Sequence, residues 1–411
     1  MKVVIVTWDA GGVTQPAIGL ARLLADRQHD VRVLAPVSLG DRIRAARARP
    51  RAWPSAIEFD AARGRAIEEQ LDGWLTDIVL GPGLPAAIRD ELVAEPADAI
   101  VVDYLLRSAL VEVQRARVPL VALVHQAFRA HGVLDDEDPD ATWGWRWEIR
   151  QINRIRQDLG LDALPLGPDS ARVALVARSS AGIVVMPREF DDWPHPPPNV
   201  THVGPIVEES NQVAWESPWA SGDRRPLIVV SLGTTYMHQE GLLGRISDAL
   251  GGLDARVLVL TGTALEPDEI PVIAGSIEVR RYVPHSAVLP EADVLVTHAG
   301  MGSLMAAFAV GVPTVCLPMG RDQRSNAERA AELGTSITLS RDAPPAEIAA
   351  AVARALGSSE MRRAAIRMQD SIAGYGAGRL AVETLERLGA SRRQELPEDQ
   401  LRPAGESTTS G

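Results

Sequence analysis

Short runs of consecutive apolar residues alternate along this chain with longer stretches of helical patterning. Residues 3–7 form the first run, as expected of a strand covered on both faces of a parallel sheet. Gly11 and Gly12 follow, and Pro16 opens a helical stretch to about Gln28, an early Pro being compatible with a first turn. Residues 31–34, 99–102, 120–124 and 182–186 predict further strands with helices between them. The same order restarts at Leu227, with strands expected over 227–230, 257–260, 277–279, 294–297 and 314–317. Such alternation predicts an α/β fold of two Rossmann-like, doubly wound parallel-sheet domains. Residues 208–226, polar and carrying Trp215, Pro218, Trp219 and Gly222, have linker composition. The expected organisation is therefore an N-terminal domain over 1–207, a linker over 208–226, a C-terminal domain over 227–390 and a disordered polar tail over 391–411. Two such domains face each other across a central cleft, and parallel sheets bind ligands beyond the carboxyl ends of their strands.

Composition narrows the function classes. A length of 411 residues suits two domains, and 46% hydrophobic with 23% charged residues is ordinary for a globular chain. The formal net charge of −12 argues against sequence-independent binding to nucleic acid or anionic lipid. Cys316, the one cysteine, lies in an apolar run and reads as a buried structural thiol, so no Cys-based metal site is expected. No apolar run approaches a membrane span or a signal peptide, which predicts a cytoplasmic protein. The acidic stretch 135–140 reads as a solvated loop rather than a metal site, since consecutive carboxylates with Pro lack fixed ligand geometry.

The most informative stretch is residues 292–327, ADVLVTHAGMGSLMAAFAVGVPTVCLPMGRDQRSNA. A buried strand runs into a tight loop, His298 to Gly302, and a helix is expected from Ser303 to Gly311. A glycine loop entering a helix N-terminus is an anion site, because bare N–H groups converge there and the helix dipole adds about half a positive charge. Gly300 and Gly302 clear side chains from the approach of a diphosphate. His298, at the end of the strand, can add an imidazole hydrogen bond. Together these groups can stabilise a departing nucleoside diphosphate without a divalent ion. On its own, such a Gly-x-Gly could equally be no more than a tight turn.

The longer pattern adds to this. Val283-Pro284, Val288-Leu289-Pro290, His298, Gly300, Gly302-Ser303, Gly311-Val312-Pro313, Asp322-Gln323 and Asn326-Ala327 together resemble the donor signature of family 1 glycosyltransferases of the macrolide type, which have the GT-B fold. Residues 231–235, Ser-Leu-Gly-Thr-Thr, resemble the family's first C-domain loop, so Ser231, Thr234 and Thr235 join the expected donor site. The resemblance covers residues 1 to about 390 and is strongest in the C-terminal half. It implies that His298, Gly300, Gly302 and Ser303 hold the diphosphate. It implies also that Asp322 and Gln323 bond the sugar hydroxyls, and that Val283 and His285 flank the nucleobase. Family members using uridine donors often carry Glu where this chain has Ala306, so the resemblance leans towards a dTDP-sugar over a UDP-sugar. No cofactor or metal is expected, the nucleotide sugar being a co-substrate.

The catalytic base is the point of departure. A neutral alcohol needs help to lose its proton, and relatives place a His in a G-H-x-x-P loop. Here the loop reads Gly12-Val13-Thr14-Gln15-Pro16, and Val13 cannot accept a proton. Asp103 matches the acid that orients the missing His. Asp103, His125 at the end of strand 120–124, and Asp9 after the first strand are the candidate bases, each with a structural role as its alternative. The missing His also leaves room for an acceptor atom that ionises easily, as in C- or N-glycosyl transfer.

Most of the nine tryptophans lie in the N-terminal part. Trp143, Trp145 and Trp147 alternate in what reads as a long loop over 135–147, and with Trp8, Val13 and Thr14 they form the expected acceptor wall. An aromatic wall suits a small hydrophobic acceptor such as a polyketide or aromatic aglycone. The leading expectation is an inverting natural-product glycosyltransferase. A sugar-nucleotide epimerase or hydrolase of the same fold and a non-catalytic nucleotide-sugar-binding auxiliary protein are the competing classes, and a homodimer is left open.

Overall fold

The structure is a computed structural model in which residues 1–9, 11–53, 74–116, 118–127, 145–165, 170–193, 195–208, 215–234, 237–262, 265–270 and 277–395 are described. Two parallel sheets organise the chain. The first contains β1 (Lys2–Val6), β2 (Asp30–Ala35), β3 (Arg49–Ala52), β4 (Ala99–Asp103), β5 (Leu120–Val124), β6 (Ala181–Val184) and β7 (Val200–His202), in the order β3-β2-β1-β4-β5-β6-β7. The second contains β8 (Leu227–Ser231), β9 (Arg256–Leu260), β10 (Ile277–Arg280), β11 (Val294–Thr297), β12 (Thr314–Cys316) and β13 (Ser336–Thr338), in the order β10-β9-β8-β11-β12-β13. Every strand pair is parallel. This is the expected pair of doubly wound sheets.

The central strands follow from their sequence. Val3, Val4, Ile5 and Val6 are at most 1% exposed, and their neighbours Ile100, Val101 and Val102 are fully buried. Each such side chain contributes roughly 1.5–3 kcal/mol of burial, which outweighs any local preference. Three strands carry no such signal, and all lie at sheet edges: β3, β7 and β13. Pro50 sits in β3, where an edge position spares the missing N–H. Charge also holds that strand, since Arg49 donates to Asp30 at 2.7 Å and to Glu95 at 2.9 Å.

The helices beside these sheets include α1 (Thr14–Asp26), α2 (Arg107–Val113), α3 (Trp145–Asp158), α4 (Met301–Phe308), α5 (Gln323–Glu332), α6 (Ser359–Gly374) and α7 (Arg379–Glu395). Two corrections follow. Helix α4 starts at Met301, two residues before the expected Ser303, with Gly300 as its N-cap. Residues 391–395 are not tail but the end of α7. That helix leaves the second half and packs Ala381, Val382 and Leu385 against the Ala17, Leu20 and Leu24 face of α1 in the first. Its Glu386 meets His29 at 3.0 Å and Arg27 at 3.1 Å. A second crossing lies beside α6, where Tyr375 Oη accepts from the Arg188 N–H at 2.9 Å and donates to Glu189 at 3.2 Å. Among the described residues no helix is long and apolar enough to cross a membrane.

Candidate active site

Strand order reverses between β1 and β4 in the first sheet and between β8 and β11 in the second, and the crevice at such a switch point is where these sheets take ligands. The predicted donor residues gather at the second switch. Ser231 ends β8, and its Oγ shares a 3.1 Å hydrogen bond with His285 Nε2, at the start of the short helix after Val283-Pro284. Val283 is 3% exposed. Burial pushes the His285 imidazole down to about 4, so it is neutral near pH 7. Thr234 follows in the same loop, and Thr235 lies outside the described residues.

His298 ends β11 and is wedged between glycines. A Cβ on Gly233 would lie 2.8 Å from His298 Cε1, and one on Gly300 would lie 2.7 Å from the same atom. Burial lowers the His298 imidazole to about 4; a hydrogen bond with the Ser231 main chain opposes this, and the charges of Arg321 and His285 add to it. The next residue, Ala299, is fully buried at φ 65°, and Gly233 and Gly262 stand at φ 90° and 81°. Left-handed backbone on a residue with a side chain costs about 1–3 kcal/mol, and such strain clusters at functional loops. Gly302 and Ser303 occupy the first turn of α4, where N–H groups have no helical partner. Around Gly302 the nearest atoms to an added Cβ are Gln15 Oε1 and Gly12 Cα, both at 4.0 Å. The start of α4 thus opens towards the glycine loop of the first half.

Asp322 is the N-cap of α5. Its Oδ2 accepts from Asn326 Nδ2 at 3.0 Å, and the same nitrogen donates to the Ala299 carbonyl at 3.1 Å. Asn326 therefore stitches the loop before α5 to the loop before α4, a role that its place in the motif did not reveal. Gln323 is 3% exposed and holds its own loop. Its Oε1 accepts from the Met319 and Gly320 N–H groups at 2.8 and 3.2 Å, while its Nε2 lies 3.3 Å from Met237 Sδ. A thioether is a weak acceptor, so that amide N–H₂ is the part of Gln323 left for a ligand.

In the first half the three candidate bases divide. His125 Nε2 lies 3.0 Å from Asp103 Oδ1, with the two residues 5% and 0% exposed. Asp103 Oδ1 also accepts from the Leu105 N–H at 2.9 Å, so the carboxylate is fixed by its own turn. Tyr104 packs edge-on to the imidazole at 5.1 Å, and Arg107 of α2 lies over the Tyr104 ring at 5.1 Å. Arg107 is 2% exposed and donates to Glu148 of α3 at 2.6 Å. Asp9 is elsewhere, accepting from Ser38 Oγ at 2.7 Å on the β2 side of β1, and it does not join the pair.

The expected acceptor wall needs correction. Trp8 is 5% exposed within the apolar core, and Thr14 Oγ1 donates to the Trp8 carbonyl at 3.0 Å, so both tie the first strand to α1. Val13 packs against the same core. Trp143 and the acidic stretch 135–140 lie outside the described residues. Trp145 and Trp147 belong to α3 rather than to a loop, and positions two apart on a helix lie on different faces, so no shared aromatic face follows from their alternation.

Comparison with known proteins agrees with this geometry. Residues 244–388 match the family model of the erythromycin biosynthesis protein CIII-like C-terminal domain. The demethyllactenocin mycarosyltransferase of Streptomyces fradiae is 27% identical over 92% of this chain and 84% of its own length. The oleandomycin glycosyltransferase of Streptomyces antibioticus is 28% identical over 92% and 88%. Among solved structures, the glycotransferase of kitacinnamycin superposes with a TM-score of 0.77 at 23% identity, covering 94% of this chain and 98% of that one. The calicheamicin glycosyltransferase CalG4 gives 0.74 at 24%, covering 95% and 98%. The fold is therefore GT-B, two parallel-sheet α/β units about a cleft. In sequence the chain is similar to macrolide glycosyltransferases over most of its length.

Proposed function

We propose that this protein is an inverting, metal-independent glycosyltransferase that moves a sugar from a dTDP- or UDP-sugar to a small hydrophobic or aromatic natural-product acceptor, with His125 as its base. The observation that carries the reading is the buried His125–Asp103 pair, in a chain whose usual base position is Val13. With Nε2 committed to the carboxylate, Nδ1 is the nitrogen left to take a proton, and it has no partner among the described residues. In the reaction the acceptor O–H passes its proton to Nδ1 as its oxygen bonds to the anomeric carbon. The bond from that carbon to the diphosphate oxygen breaks, and the nucleoside diphosphate leaves with the electron pair. The N–H groups of α4, His298 and the neighbouring loop receive the charge. Neighbouring strands are about 4.8 Å apart, so His125, two strands from β1, stands roughly 10 Å from the end of that strand. The acceptor would reach its base on that side of the cleft.

Support for the donor class comes from relatives. The structure of VinC, which has a TM-score of 0.72 at 17% identity and covers 95% of this chain, is a complex with dTDP. Ala306, half-buried on α4, offers a ribose no acceptor, which favours the deoxyribose of a thymidine donor. The names of the two Streptomyces relatives support a natural-product acceptor. The test is incubation with dTDP- and UDP-sugars and a panel of phenolic and macrolide acceptors, read by mass, for wild type and His125→Ala. Sugar adducts formed by wild type and lost in the variant support the proposal. Donor turnover without acceptor, or binding without turnover, overturns it in favour of an epimerase-like enzyme or an auxiliary binder.

A further inference from the structure

Arg321 is a cation on the donor side to which neither the motif nor the reaction above gives a task. It stands between Gly320 and Asp322 at the entrance to α5, in left-handed backbone at φ 59°. That conformation is unfavourable for a long side chain and persists only where the surroundings impose it. Here they do. Gln323 Oε1 grips the Met319 and Gly320 N–H groups, and Asn326 ties Asp322 to the Ala299 carbonyl. The segment that carries Arg321 is thereby fixed against the loop that carries His298, whose imidazole lies within the field of the guanidinium.

The residue is exposed at the surface although its guanidinium is partly desolvated; the adjacent Asp322 carboxylate acts on it through its charge, and among the described residues no carboxylate forms an ion pair with it. Its neighbours on α5 differ: Arg324 pairs with Glu328 at 3.0 Å, and Arg329 with Glu332 at 3.0 Å. The charge balance of the donor loop gives the open guanidinium its use. A departing nucleoside diphosphate carries more than one negative charge, while the start of α4 supplies only about half a positive one. His298 is neutral, because burial lowers it to about 4. A full, permanent charge is missing from that set, and Arg cannot lose its proton.

We propose that Arg321 donates hydrogen bonds to the donor's diphosphate and takes up the charge that grows on its oxygens as the sugar leaves. A planar fork of N–H donors fits phosphate oxygens two at a time, which Lys cannot reproduce. This rests on the reading of His298, Gly302 and Ser303 as the diphosphate site. The probes are dTDP and UDP against thymidine and uridine, titrated calorimetrically into wild type, Arg321→Gln, Arg321→Lys and His298→Ala. Removing charge-assisted bonds should weaken diphosphate binding in Arg321→Gln roughly 10- to 100-fold. Nucleoside binding should stay unchanged, and Arg321→Lys should fall between. Arg321 lies on an exposed loop, so melting curves matching wild type confirm that the variants are folded. Wild-type dTDP and UDP affinity in Arg321→Gln, with loss in His298→Ala, overturns this inference and leaves the donor site standing. Unchanged affinity in both variants overturns the donor site itself.

Discussion

Asp103 Oδ1 meets His125 Nε2 at 3.0 Å across the ends of adjacent strands, and this single bond selects which imidazole nitrogen carries the hydrogen. An acid on β4 and an imidazole at the end of β5 are placed as the proposed base and its orienter need, without a His in the first loop. The direction of the bond matters. A carboxylate accepts only, so Nε2 carries the hydrogen and Nδ1 the lone pair.

His125→Ala should lower kcat by about 10²–10⁴, the usual contribution of a general base, with donor affinity unchanged. Asp103→Asn should approach the same loss, because an amide can donate to Nε2 and turn the lone pair inward. Steady-state kinetics beside diphosphate titration separates the two quantities. Equal kcat in wild type and both variants would move the base elsewhere.

The glycines around His298 should respond differently. Gly233→Ala puts a Cβ 2.8 Å from the imidazole at φ 90°, so it should destabilise the fold by about 1–3 kcal/mol and displace His298. Gly302→Ala meets nothing nearer than 4.0 Å. It should melt like wild type while binding diphosphate more weakly, since the new methyl fills the approach to the N–H groups. Thermal melts and dTDP titration of both variants check the contrast.

Two imidazoles that lose much of their hydration on folding make stability depend on pH. His285 and His298 are lowered to about 4 from 6.5, so the unfolded chain binds protons below pH 6.5 that the folded protein does not. Their neutral state therefore stabilises fully above about pH 6.5, progressively less as pH falls towards 4, with no further change below. His298→Gln should flatten that part of the curve in urea unfolding measured at stepped pH. A slope identical to wild type would mean that the imidazole titrates normally.

The Arg107–Glu148 pair predicts a stability asymmetry. Both residues are buried, so Glu148→Ala strands a guanidinium and should cost about 3–5 kcal/mol. The double change Arg107→Met with Glu148→Leu should cost much less, because neither charge is left alone. Denaturant midpoints of the single and double variants decide this. His125 rests against Tyr104, over which Arg107 stacks, so Glu148→Ala should also lower kcat.

What was legible in the sequence follows the strength of burial. Strands such as β1, β4, β5, β8 and β11 are apolar on both faces and announce themselves. The edge strands β3, β7 and β13 are short and polar, and only their neighbours define them. The loop between β11 and α4 was legible because glycine, histidine and a helix start sit within a few residues. The pairing of Asp103 with His125 was not, since it depends on β4 and β5 being neighbours, and both residues stood only as separate candidates. The packing of Trp8 and Thr14, which join the first strand to α1, was not legible, because it depends on how those elements meet rather than on residue type.

Helix α7 carries a consequence for how the protein is made. Ala381, Val382 and Leu385 complete an apolar face laid down by Ala17, Leu20 and Leu24, almost at the opposite end of the chain. On the ribosome the amino-terminal sheet emerges early, and domains usually fold in that order. Here one apolar flank of α1 stays uncovered until a segment far later in the sequence has been made. The first half is complete only when α7 reaches it.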